Sequence, residues 1–379
     1  MSFRLFLSGM ISAKNINSSY VGYTHNPVME GWRLRHNSCL ESLKCRECGQ
    51  EFPPTRIHAC HYCFGPLEAV YDLNRVNLSK RSIKKRIGTL WRYSELLPVE
   101  DETKIVDLGA GFTILHECTR LAEELRLKRL YIKDDTVNPT GSFKDRPATV
   151  AVSKALEFGF GAVGCASTGN LAAATAAHAA KAGIPCYVFI PFDIEVDKVL
   201  QASAYGAKII AVKGTYDEAN RLAAQASDEH DWALVNINIR PYYTEGSKTL
   251  AFEICEQLGW RAPENIVIPV GSGALLCAAW RGLNQFADLD LVDDLKTKVF
   301  GAQPEGCSPV VSAFRSNSED VLPIEKPETV VKSLAIGDPG DGIYTLNVVR
   351  ESGGAAESAT DEETLDGIRL LAKTEGIFA

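Results

Sequence analysis

Four groups of residues in this sequence have types and spacings that could do chemistry. Asn138-Pro139-Thr140-Gly141-Ser142-Phe143-Lys144-Asp145-Arg146 sets a lysine just after a Pro/Gly turn and just before a helical pattern that starts near Pro147. A lysine there faces the positive end of the helix macrodipole, which disfavours its charged form and makes it a candidate Schiff-base nucleophile. On that argument alone, an ordinary exposed loop lysine is the better reading. Ser167-Thr168-Gly169-Asn170 follows the apolar run 162–166 and precedes an Ala-rich stretch. Hydroxyls and amides at such a junction suit an anion, and Ser167 or Thr168 suits a helix N-cap. Gly271-Ser272-Gly273-Ala274-Leu275 lies between the run 266–270 and the helical pattern 275–286, as a phosphate cradle would. Leu276 stands where a dinucleotide fingerprint needs its third glycine, and no P-loop Lys-Ser/Thr follows. Cys45-x2-Cys48 and Cys60-x2-Cys63 have the spacing of two thiolate knuckles around a tetrahedral metal. The first three groups together suggest a site for a phosphate-bearing aldehyde cofactor held by Lys144.

The elements that must position these residues alternate in type. Apolar runs at 130–133, 162–166, 186–190, 207–212, 266–270 and 298–303 read as strands. Between them, 148–159, 170–183, 217–229 and 247–259 read as helices, with Gly159, Gly183 and Gly259 as closing glycines. The seven alanines between 172 and 180 predict a helix packed on both sides. This alternation predicts an α/β fold with mainly parallel sheets, whose ligands lie beyond the carboxyl ends of strands. Residues 68–71 read as a short strand and 79–88 as a basic, helical segment.

Composition bounds the reading. A chain of 379 residues with 45% hydrophobic and 23% charged residues has ample material for a core and more than one lobe. A net charge of −8 argues against a general nucleic-acid partner, and no apolar run is long enough to span a membrane. Eleven cysteines, an odd number and mostly in apolar segments, point to reduced thiols rather than a disulfide framework. The first acidic residue is Glu30, so the amino end resembles an organellar transit peptide weakly; a disordered extension or a miscalled start is the plainer reading.

The motif NPTGSFKD (138–145) resembles the cofactor-lysine motif of the threonine synthases, which are fold type II, tryptophan-synthase-β-like pyridoxal-phosphate enzymes. STGN (167–170) and PVGSG (269–273) match the same family in order and spacing, as do VDLGAGFTIL (106–115), EGSKTLAFEI (245–254), GAQPEGCSPV (301–310), KSLAIGDPGDG (332–342) and ESGGAAESATDEE (351–363). LKCRECG and CHYCFGPLEAVYD resemble the amino-terminal segment of one branch of it. The resemblance implies a two-lobed architecture preceded by a zinc-ribbon-like segment. An extension would cover 1–40, the ribbon 41–75, a large cofactor-binding lobe 76–145 with 246–379, and a small α/β lobe 146–245.

The resemblance also implies roles. Lys144 would carry pyridoxal 5'-phosphate as a Schiff base and then shuttle protons. Phe143 would lie against the ring, Asn170 would bond the 3-hydroxyl, and the N–H groups of Gly271, Ser272, Gly273, Ala274 and Leu275 would hold the cofactor phosphate. Ser167 and Thr168, with Asn238 and Arg240, would receive the substrate phosphate. Cys45, Cys48, Cys60 and Cys63 would hold a structural zinc, all four positions being filled. The implied reaction turns O-phospho-L-homoserine and water into L-threonine and phosphate, in a homodimer that is cytoplasmic, or plastid in a plant or alga. Related lyases such as cysteate synthase or threonine/serine dehydratase, and an inactive pyridoxal-fold binding protein, are the competing readings. The family's chains usually continue past the segment resembling KTEGIFA (373–379), so a truncated carboxyl end is expected. Pro147 replaces a common glycine, which a first helical turn tolerates.

Overall fold

The described residues begin with three short strands paired antiparallel, β1 (Leu40–Cys45), β2 (Glu51–Phe52) and β3 (Leu67–Tyr71), in the order β2-β1-β3. This is a computed structural model, which describes residues 38–192, 197–214 and 216–378; all but the last three residues of the expected 1–40 extension lie outside them. The basic segment contributes only α1 (Lys80–Lys84), started by a capping box between Ser79 and Ser82. Next come β4 (Ile114–Glu117), α2 (Thr119–Glu124) and β5 (Tyr131–Asp134). β4 and β5 pair antiparallel, a departure from the parallel pattern of the later sheets.

From there strands and helices alternate as expected. α3 (Asp145–Glu157), β6 (Val163–Ala166), α4 (Asn170–Ala182), β7 (Cys186–Pro191), α5 (Asp197–Ala204), β8 (Lys208–Val212), α6 (Tyr216–His230) and β9 (Ala233–Leu234) build a parallel sheet in the order β8-β7-β6-β9. Then α7 (Arg240–Gln257), β10 (Asn265–Pro269), α8 (Ala274–Asp288), β11 (Lys298–Pro304), α9 (Pro309–Arg315), α10 (Gly342–Glu351), β12 (Ala356–Ala359) and α11 (Asp361–Glu375) give a second parallel sheet, β10-β11-β12. Gly159, Gly183 and Gly259 all take positive φ after their helices, where a side chain would be strained.

Helix α7 ties the molecule together. It is 18 residues long, about 27 Å at the α-helical rise, and nearly all of Pro241 to Glu256 is buried. Tyr242 and Tyr243 belong to the core around the four-stranded sheet, together with Leu43, Cys45, Cys60 and Leu67 of the ribbon. Ala251, Phe252 and Cys255 belong to the core around β10, α8 and β11. The helix starts at Arg240 rather than at the expected 247, because Pro241 supplies a pre-set φ in the first turn and burial, not an apolar period, stabilises that turn. Gly246 lets it pass close to α3: a Cβ there would fall 2.1 Å from the Arg146 carbonyl oxygen and 2.8 Å from Pro147 Cα. Among the described residues no helix is long and apolar enough to cross a membrane.

Candidate active site

Lys144 stands at the N-cap of α3. Its turn is held from within: Gly141 takes a φ of +79°, and the buried Asp145 carboxylate accepts hydrogen bonds from the Thr140 N–H and hydroxyl, each at 2.8 Å. Asn138 is anchored from outside, its Oδ1 accepting from the Gly111 N–H at 2.9 Å, so the VDLGAGFTIL stretch serves to fix the lysine loop. Behind the loop, the fully buried Arg146 guanidinium contacts Asp135 at 2.7 Å and Glu253 at 2.5 Å, and Lys133 reaches the same Glu253 at 2.8 Å. Burial works to raise the Glu253 and Asp135 carboxyls, yet the cations beside them hold both below the ordinary range. The Lys144 amine donates to the Tyr243 hydroxyl at 3.1 Å and lies 4.7 Å from the centre of the Phe143 ring.

The two other motifs sit at the carboxyl ends of parallel strands, Ser167 to Asn170 after β6 and Gly271 to Leu275 after β10. Neither Ser167 nor Thr168 caps α4, contrary to the capping reading. The N-cap is Gly169, with no side-chain cap, and a Cβ there would meet nothing within 4 Å. Helix α8 likewise starts on an uncapped Gly273 with a φ of +91°. A Cβ on Gly273 would strike Thr345 Oγ1 at 2.1 Å, so only glycine lets the turn lie against α10. Helix N-termini with unspent N–H groups suit anions such as phosphate. Burial pushes the Cys165 thiol up to about 12, while Thr175 and the Lys144 charge pull it down. The KSLAIG stretch lies over the glycine turn, with Ile336, Ser333 and Leu334 the nearest neighbours of a Cβ on Gly271.

Two sequence candidates hold partners within the protein. Asn238 turns back into its own loop, accepting from the Leu234 N–H at 2.8 Å and donating to Ser227 Oγ at 2.7 Å and the Trp232 carbonyl at 3.0 Å. Every polar atom of its amide is therefore engaged, and it shapes the approach to α7. Arg240 pairs with Asp341 at 2.6 Å. The same carboxylate takes Arg46 of the ribbon at 2.8 Å, and the Asp341 N–H bonds the Ser272 carbonyl at 2.9 Å. Tyr243, Asp341 and Arg46 escaped the sequence reading. The available signal was the position of Tyr243 two residues before the EGSKT motif and of Asp341 inside GDPGDG.

In the ribbon, Cys45 Sγ and Cys63 Sγ are 3.4 Å apart, Cys48 Sγ and Cys60 Sγ 3.6 Å, and all four sulfurs lie within 4.8 Å of one another. None of the eleven cysteines forms a disulfide. Four thiolates at about 2.3 Å from a tetrahedral zinc would be roughly 3.8 Å apart, so the cluster matches that donor set without an open position for chemistry.

Comparison with known proteins agrees with this geometry. The family of pyridoxal-phosphate dependent enzymes matches residues 106–379. The threonine synthase of Methanocaldococcus jannaschii is 42% identical over 338 residues, 88% of this chain and 83% of that protein. The chain belongs to the threonine synthase family. The threonine synthases of Methanosarcina acetivorans, 43% identical over 88% of this chain and 82% of that one, and of Halalkalibacterium halodurans, 40% identical over 77% and 79%, agree. Among solved structures, maize serine racemase has a TM-score of 0.58 at 21% identity over 70% of this chain and 78% of its own. That likeness shows the fold type II architecture expected of the family. Within the family, pyridoxal phosphate is the cofactor, and the residues that fit it here are Lys144 and the two uncapped turns.

Proposed function

We propose that this chain converts O-phospho-L-homoserine and water into L-threonine and inorganic phosphate. The observations that carry the reading are an amine, Lys144, at a helix N-cap, and two helices that start on uncapped glycines after the carboxyl ends of parallel strands, one suited to a cofactor phosphate and one to a substrate phosphate. Pyridoxal phosphate, when bound, supplies an electron sink that lets protons leave Cα and Cβ of an amino acid. Lys144 would hold its aldehyde, Phe143 its face, Asn170 its hydroxyl, and the N–H groups of Gly271 to Leu275 its phosphate.

The chain's own residues do the rest. Lys144 Nζ takes and returns protons at the substrate carbons, and the Tyr243 hydroxyl holds that nitrogen in place between transfers. Ser167, Thr168 and Arg240 receive the substrate phosphate, orient it for departure from Cγ, and leave Cβ facing water. Asn238 positions the loop before Arg240. Cys45, Cys48, Cys60 and Cys63 hold a structural zinc that fixes the ribbon. The small lobe would be 146–245, with the four-stranded sheet, and the large one 76–145 with 246–379, with the β4-β5 and β10-β11-β12 sheets. The protein works as a homodimer in a reducing compartment, the cytoplasm or a plastid, consistent with its free thiols.

The direct test offers the cofactor-loaded protein O-phospho-L-homoserine in one reaction and L-threonine in another. Threonine and phosphate from the first, with no ammonia from the second, is the expected result. Ammonia and a 2-oxo acid from L-threonine, with no turnover of the phosphate ester, would make it a dehydratase.

A further inference from the structure

The ribbon does more than pack against the catalytic lobe. Arg46 lies inside the Cys45-x2-Cys48 knuckle and reaches across 295 residues of sequence to the Asp341 carboxylate, 2.8 Å away. The same carboxylate holds Arg240 at 2.6 Å. Exposure separates the two cations: the Asp341 side chain is 3% exposed and Arg46 18%, but Arg240 is 35% exposed. Arg240 lines an open cleft of about 550 Å³ whose other wall is ribbon, with Glu47, His58 and Phe64.

Asp341 cannot follow Arg240 into that cleft. Its N–H is bonded to the Ser272 carbonyl and its carbonyl accepts from the Thr345 N–H, both at 2.9 Å, which ties it to the glycine turn and to α10. Arg46 cannot leave Asp341 easily either. Its guanidinium lies 3.5 Å from the centre of the Tyr344 ring, the Tyr344 hydroxyl bonds Glu47 in the same knuckle, and the Arg46 N–H bonds the Pro66 carbonyl at 3.0 Å. A buried carboxylate stripped of its cations is strongly unfavourable, whereas one that keeps a second guanidinium is not. One arginine is therefore fixed and the other is free to exchange partners.

We infer that Arg46 is a positioning residue for the substrate phosphate: it keeps Asp341 neutralised so that Arg240 can turn from Asp341 to a phosphate in the cleft. The ribbon thereby contributes to phosphate recognition through a residue that is not a metal ligand. This rests on the proposed role of Arg240, and the experiment separates the two claims.

Inorganic phosphate is titrated calorimetrically into the cofactor-loaded protein, where the cofactor's own phosphate site is filled, and KM and kcat are measured beside it. Arg46→Met should weaken phosphate binding and raise KM by about tenfold, the scale of one charge-assisted hydrogen bond, with kcat within about twofold. Arg46→Lys should recover most of the loss. Asp341→Asn, which releases Arg240 by itself, should bind phosphate at least as tightly as the native protein, and Arg46→Met with Asp341→Asn should return to within about threefold of native. These last two variants keep the claim testable if Arg46→Met alone folds poorly. Native phosphate affinity in Arg46→Met, weaker binding in a folded Asp341→Asn, or a double variant as poor as the single would each overturn the inference. If Arg240→Met also binds phosphate normally, the role of Arg240 falls and the inference with it. If Arg240→Met binds weakly while Arg46→Met does not, only the inference falls.

Discussion

The Lys144 amine lies 3.1 Å from the Tyr243 hydroxyl, so the nucleophile at the start of α3 meets the first turn of α7 across 99 residues of sequence. Tyr243 is buried and one helical turn from Arg240, which puts both on one face of α7. Tyr243→Phe removes this hydrogen bond and leaves the ring. We expect kcat to fall by about 3- to 10-fold, the value of one such bond, with the melting temperature nearly unchanged. Steady-state kinetics and a thermal melt check both; an unaltered kcat would remove Tyr243 from the site.

Acid should unfold the protein through its buried ion network. In Glu253, Asp135 and Glu245 burial acts to raise the carboxyl, but Arg146 and Lys133, or Arg281 and Lys248, outweigh it and hold each below its ordinary value. A lowered carboxyl contributes stability above its unfolded pKa, about 4, and loses it as pH falls through the folded value. Asp145 acts oppositely, since burial raises it, but it is one group against three. Denaturant midpoints should thus drop steadily below pH 4, and Glu253→Gln should flatten that drop while starting from lower stability at pH 7. A native midpoint constant from pH 5 to 2 would contradict this.

Gly246→Ala tests the approach of α7 to α3. The added methyl meets backbone, 2.1 Å from the Arg146 carbonyl oxygen, so α3 and Lys144 at its start must move. We expect a loss of at least about 1–3 kcal/mol, the usual cost of overpacking, and weaker cofactor retention. Urea unfolding and cofactor absorbance after dialysis measure the two effects.

One metal ion per chain is expected, at the four cysteines. Cys48→Ser should lower occupancy and melting temperature together, because metal binding and ribbon folding are coupled. Elemental analysis beside a melt checks this; a variant that loses metal with no change in melting would make the ion unnecessary to the fold.

Much of the fold was legible because strands 163–166, 186–191 and 265–269 are short apolar runs and their helices end on glycines that need positive φ. The start of α7 was not: Arg240 to Gly246 contains a proline, two tyrosines and a glycine and has no apolar period, and only burial makes it helical. The local parts of the site were legible for a similar reason. Lys144 and the turn at Gly271 to Leu275 are marked by neighbours in sequence. Tyr243, Asp341 and Arg46 act through contacts that only folding creates. Asn238 and Arg240 came from the resemblance alone, which does not reveal that their side chains already hold Ser227 and Asp341.

The central claim is that Lys144 makes threonine from a phosphate ester. The most direct measurement follows threonine and phosphate together in the cofactor-loaded protein given O-phospho-L-homoserine, with Lys144→Ala alongside. Equal amounts of both products, absent in a folded Lys144→Ala, is the predicted result. Phosphate without threonine, or equal activity in the variant, would contradict it.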